Sequence, residues 1–89
     1  MTASAKKGNN PKKWEALLSF LDEKLQLGLL DHLKRVNSYH FEDSLLIIEP
    51  GSEKDQEYLS RSTVLQHLEI LANEATGIEK LRIKPVGEE

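Results

Sequence analysis

Gly77 stands between a long apolar-periodic segment and the short alternating run Ile78-Glu79-Lys80-Leu81-Arg82-Ile83-Lys84. Glycine enters the left-handed conformation that closes a helix without a Cβ clash, and polar/apolar alternation is the pattern of a half-buried strand. The last two elements are therefore a helix and then a strand. Read backwards from that junction, the chain resolves into helix, helix, strand, strand, helix, strand, an α+β order with a three-stranded sheet.

Asn10 is a good N-cap, and Pro11 sits where a first helical turn tolerates a missing N–H. Trp14, Leu17, Leu18, Leu21 and Leu25 then recur at helical spacing, so a first helix is expected over Pro11 to Lys24. Gly28 marks a tight junction, and the stripe Leu29, Leu30, Leu33 and Val36 predicts a second helix over Gly28 to Val36. Tyr39 and Phe41 alternate with His40 and Glu42, as a half-buried strand should. Glu42-Asp43-Ser44 supplies a turn without the Asn-Gly or Asp-Gly signal, and Leu45-Leu46-Ile47-Ile48 follows as a second strand. Pro50-Gly51 stops that strand, and Ser52 caps a third helix whose face is Tyr58, Leu59, Leu65, Leu68, Leu71, Ala72 and Ala75. Weak helix formers around Ser60 predict a kink or break there. Because this helix joins the second strand to the third, Lys80 to Lys84, the connection is a crossover. Residues 1–10 read as a disordered tail or linker, 11–86 as one domain, and 87–89 as a frayed end.

Eighty-nine residues allow one small core, and the absence of cysteine excludes disulfides and thiolate zinc sites. No apolar run approaches the ~20 residues of a membrane span, and the N-terminal residues lack the apolar stretch of a signal peptide, so a cytoplasmic home is expected. A net charge of −3 argues against nucleic acid as the main ligand. The basic cluster that stands out is Lys6, Lys7, Lys12 and Lys13.

No constellation carries recognisable chemistry. His32, His40 and His67 fall on different predicted elements without i, i+4 pairing, so no metal is expected. The carboxylates, Asp55 among them, sit at helix ends, turns or polar faces where acids are normally solvated. Phosphate-cradling loops and nucleophile elbows are absent, as is the GXXG loop of an RNA-binding K-homology module, and no cofactor or catalytic residue is expected. Trp14 shares a face with Leu17, Leu18 and Leu21 and belongs to the core, whereas Phe20 lies off that stripe. The anomaly is Leu45 to Ile48, which places large apolar side chains on both faces of one strand. Either helices cover both sides of the sheet, or one side stays open as an apolar patch for a partner.

Trp14 with Leu17-Leu18 opening the first helix, Leu45 to Ile48 as central strand, Tyr58-Leu59 early in the third helix, and Gly77 before Leu81-Arg82-Ile83 resemble the C-terminal domain of the bacterial DNA polymerase III gamma/tau subunit. The layout is also similar to the N-terminal domain of the replication initiator DnaA. The resemblance covers about Lys12 to Val86 and implies a K-homology-like α-α-β-β-α-β fold without the RNA-binding loop. It also implies a non-enzymatic domain that docks another replication protein, the polymerase catalytic subunit or the replicative helicase, while the ATPase of the clamp loader lies elsewhere in the parent chain. For such docking the expected contact residues are Phe20, Leu27, Leu45, Leu46, Ile47 and Ile48. A reading from another class is a single-stranded nucleic-acid binder using Trp14 with Lys6, Lys7, Lys12 and Lys13.

Overall fold

The computed structural model describes residues 8–86. The expected tail at 1–7 and frayed end at 87–89 lie outside the described residues. Gly8 to Asn10, by contrast, belong to the fold. The Asn9 carboxamide donates to the Phe41 carbonyl at 2.7 Å and accepts from the Phe41 N–H at 2.8 Å, while the Asn10 side chain caps the first helix through the Lys13 N–H.

Seven elements follow: α1 (Pro11–Glu23), α2 (Leu27–Lys34), β1 (Ser38–Glu42), β2 (Leu45–Glu49), α3 (Glu53–Leu59), α4 (Ser62–Thr76) and β3 (Lys80–Ile83). The expected break at Ser60 is present and divides the third predicted helix into α3 and α4. The sheet order is β1-β2-β3, with β1 antiparallel and β3 parallel to β2. The domain is thus α+β with a three-stranded mixed sheet. A two-residue turn, Asp43-Ser44, closes the hairpin with Asp43 at φ +54°, and aspartate is among the residues that tolerate this conformation. The Ser44 carbonyl then accepts the N–H groups of Glu79 and Lys80, which anchors the start of β3 against the hairpin turn.

The core forms where one face of the sheet meets the helices. Tyr39, Phe41, Leu46, Ile48 and Leu81 pack with Trp14, Leu17 and Leu21 of α1, Leu29, Leu30 and Leu33 of α2, Leu59 of α3, and Leu68, Leu71 and Ala72 of α4. Trp14 stacks on Tyr39 with ring centroids 4.3 Å apart and planes 4° from parallel, and Tyr39 meets Phe41 edge-on at 5.7 Å. Offset and edge contacts of this kind add to the area that aromatic rings bury.

The α1 to α2 junction departs from expectation. The first helix ends at Glu23, and Gly28 lies inside the first turn of α2 and makes no junction. The reversal is made by Leu25, at φ +58° and 77% exposed. The Leu25 N–H bonds to the Asp22 carbonyl and the Gln26 N–H to the Leu21 carbonyl, the hydrogen-bond pair that closes a helix through a left-handed residue. Leucine therefore occupies a position suited to glycine, while Gly77, at φ +86°, occupies the equivalent position after α4 as expected. Opposite effects follow for the two sites. Leu25→Gly is expected to stabilise the domain by about 0.5–1 kcal/mol and Gly77→Ala to destabilise it by about 1 kcal/mol. Paired urea titrations check this, and shifts of the same sign would show that left-handed strain does not govern these helix ends.

Candidate functional site

Two features of the fold stand out, a buried carboxylate and an open sheet face. Asp55, in the first turn of α3, is only 4% exposed, contrary to the expectation of a solvated acid. Its Oδ1 accepts from His32 Nδ1 at 2.5 Å and Arg35 Nη2 at 2.9 Å, and its Oδ2 faces Arg35 Nε at 3.3 Å. Arg35 reaches back to Asp31 at 2.5 Å, and His32 stacks on Tyr58 with centroids 4.2 Å apart. The Arg35 guanidinium holds the Asp55 carboxyl below the usual carboxylate range; burial opposes this, and the His32 hydrogen bond adds to it. The hydrogen bond to Asp55, and after it the one to Asp31, pushes the Arg35 guanidinium above its ordinary value. Gly51 brings the turn after β2 onto the Arg35 carbonyl so closely that any Cβ would overlap it. With its acceptors occupied and its surface covered, Asp55 clamps the end of α2 to α3 and offers no oxygen to a substrate. The sequence signal was its place four residues before Leu59, on the buried side of the helix.

The second feature is the sheet face turned away from the helices. Alternation along β2 buries Leu46 and Ile48 completely and leaves Leu45, Ile47 and Glu49 half-buried. Among the described residues no helix covers this second face, where His40 and Arg82 flank Ile47 on β1 and β3 and are both exposed. Of the two arrangements that the apolar run of β2 allowed, the open face is the one found. A concavity of about 400 Å³ lies over it, walled by His40, Ile47, Glu49, Arg82 and Lys84. A larger hollow of about 660 Å³ along α3 is lined by Glu53, Lys54, Gln56, Glu57, Ser60 and Arg61, with no apolar residue to bury.

The six expected contact residues do not form one patch. Leu46 and Ile48 are removed from contact because their side chains fill the core. Leu45 and Ile47 stand on the open face. Phe20 is half-buried on α1 beneath the Lys24 ammonium, and Leu27 is 55% exposed at the start of α2, both in the helical layer across the sheet. Two exposed apolar residues were missed as contacts, Leu25 at the left-handed turn and Ile70, 60% exposed. Ile70 lies two residues from Leu68 and therefore away from the core stripe.

The electrostatics of the open face also went unremarked in the sequence, where the basic cluster noted was N-terminal. Lys80 and Arg82 on β3 and Lys84 just past its end occupy alternate positions, and no ion-pair partner for them occurs among the described residues. The same face also carries acids, Glu42 on β1, 3.6 Å from His40 Nε2, and Glu49 on β2, which accepts from the neutral Ser38 hydroxyl at 3.4 Å and keeps its charge.

Both outer edges of the sheet carry side-chain partners: Asn9 takes both backbone groups of Phe41 on β1, and the Glu69 carboxylate accepts the Leu81 N–H of β3 at 3.0 Å. Occupied edges disfavour addition of a fourth strand, leaving the face as the accessible part of the sheet. Trp14, at 7% exposed, is no platform for a nucleic-acid base, and Lys13 lies over the Phe41 ring at 5.7 Å. Lys6 and Lys7 lie outside the described residues.

His32, His40 and His67 pair with Asp55, Glu42 and Gln26, and among the described residues no three metal-capable side chains converge. No helix of the described residues is long and apolar enough to cross a membrane. Comparison with family models, with curated proteins and with solved structures finds no match.

Proposed function

We propose that this chain is a protein-docking domain of the bacterial replication machinery, engaging the polymerase catalytic subunit or the replicative helicase through the open face of its sheet. The observation that carries the docking reading is that face: Leu45 and Ile47, half-buried in the middle strand, with cations beside them that have no ion-pair partner, and no helix above them, among the described residues. Apolar side chains framed by charge are the ordinary composition of a contact surface, and a central apolar anchor supplies most of its binding energy. The replication assignment rests on the resemblance to the gamma/tau C-terminal domain, with the N-terminal domain of DnaA as the alternative. The domain performs no catalysis in this reading, and the parent chain supplies the ATPase.

The test uses the purified domain immobilised against the bacterial polymerase III catalytic subunit and, separately, the replicative helicase. Ile47→Glu is expected to weaken the interaction at least about tenfold while leaving the circular dichroism spectrum and unfolding midpoint near those of the unmodified protein. Its neighbour Leu46→Ala is expected to lower the midpoint instead. Failure of the unmodified domain to bind either protein overturns the replication assignment. Binding that survives Ile47→Glu but is lost in Leu27→Glu would move the contact to the helical layer. A labelled single-stranded oligonucleotide is expected to bind weakly or not at all at ~0.15 M salt.

A further inference from the structure

We propose that the segment received by the open face is an acidic amphipathic helix of the protein partner, its carboxylates set against Lys80, Arg82 and Lys84 and its apolar side chains on Leu45 and Ile47. This rests on the reading of that face as the docking surface and specifies the chemistry of its occupant.

Charge is the first argument. Lys80, Arg82 and Lys84 have no ion-pair partner among the described residues, while Glu42 lies beside His40 on β1 and Glu49, on β2, accepts from the neutral Ser38 hydroxyl and keeps its charge. The β3 margin of the apolar strip is therefore a positive column, within a chain whose net charge is −3. A partner with a negative column beside an apolar column complements it. A polyanion such as single-stranded nucleic acid would meet Glu49 on the middle strand and Glu42 on the other margin.

Dimensions are the second argument. Alternate residues of a strand repeat every ~6.6 Å, and residues four apart on a helix repeat every ~6 Å, so carboxylates at i, i+4 and i+8 keep step with Lys80, Arg82 and Lys84. Leucines at i+3 and i+7 lie on the adjoining stripe of the same helix, toward β2. The five residues of β2 extend ~17 Å, the length of ~11 helical residues, and the outer strands lie ~10 Å apart, close to the width of a helix. With Asn9 and Glu69 occupying edge positions, a helix laid on the face is favoured over a strand added at the side.

The probe is a twelve-residue, end-capped, fluorescein-labelled peptide with glutamates at i, i+4 and i+8, leucines at i+3 and i+7, and alanine or glutamine elsewhere, measured by anisotropy against the whole chain. Binding is expected with a gain of peptide helicity, to weaken by about tenfold or more when the glutamates become glutamines, and to fall as salt is raised from ~0.1 M to ~1 M and the Debye length shrinks from ~10 Å to ~3 Å. The variant K80E/R82E/K84E is expected to lose the acidic peptide and to bind its lysine counterpart. No binding of the acidic peptide, or equal binding of the glutamine peptide, overturns the proposal. An oligonucleotide that outcompetes the peptide and is lost in the same variant also overturns it, in favour of nucleic acid. Ile47→Glu in the partner assay separates the two readings. Loss of partner binding there, with no effect of K80E/R82E/K84E, keeps the docking face and removes the acidic helix. Indifference to Ile47→Glu removes the face itself.

Discussion

Leu68→Ala is expected to lower the unfolding free energy by about 3–5 kcal/mol. Leu68 is fully buried in the α4 stripe, and it belongs to the cluster that joins all four helices to the sheet. Truncation loses the transfer free energy of the removed methyl groups and leaves a cavity that close-packed neighbours fill only in part. At 0.05–0.15 kcal/mol per residue, a chain of 89 residues has about 4–13 kcal/mol in total, so the variant is expected to be partly unfolded at 37 °C. Urea titration with the slope held near that of the unmodified protein measures the loss. A change below about 1 kcal/mol would mean that α4 can slide or rotate to refill the space, and that the core is looser than its burial indicates.

Asp55→Ala is expected to cost about 2–3 kcal/mol at pH 7 and progressively less in acid. The carboxylate is buried and accepts from His32 and Arg35, so its removal frees the α2 to α3 clamp. Arg35, being half exposed, can rehydrate, which keeps the cost below that of stranding a fully buried charge. The folded-state pKa of Asp55 lies below the ordinary value of ~3.9 that an unfolded chain shows. Its contribution is therefore fully present above about pH 4 and is lost as pH falls through the depressed folded value. Unfolding midpoints of the unmodified protein and of Asp55→Ala at pH 7, 4 and 3 are expected to converge toward the acid end. A gap that stays constant across that range would show that the ionised clamp is not what the substitution removes.

The elements were legible because their signals are local. Helical spacing of Trp14, Leu17 and Leu21, the stop at Pro50-Gly51, the weak helix formers near Ser60 and the glycine at 77 each bias a few consecutive residues, and tertiary packing agrees with every one of these biases. The junction between α1 and α2 was misplaced at Gly28 because Leu25 continues the apolar spacing but takes a left-handed conformation. The hydrogen bonds of the helix end and the need to turn into α2 outweigh the preference of leucine there.

The candidate site was legible only in part. The run Leu45 to Ile48 announced that one strand had more apolar surface than a single face could bury, but not which two residues would stay outside. Lys80, Arg82 and Lys84 stood in plain alternation, yet that no carboxylate of the neighbouring strands pairs with them depends on the register of the sheet. The one local mark of burial at Asp55 was its spacing from Leu59, and it was outweighed because a carboxylate after Ser52 reads equally well as a solvated charge at a helix N-terminus.

By itself the sequence determined the order and type of the elements, the single small core and the α+β class, because periodicity and capping act through neighbours within a turn or two along the chain. Only the tertiary structure decided that the helices gather on one side of the sheet, that Leu46 and Ile48 turn inward while Leu45 and Ile47 turn out, and that Arg35 and His32 meet Asp55. Those outcomes depend on pairs some twenty or more residues apart, whose contact is set by how the layers close on each other and by which charges remain without a partner when they do.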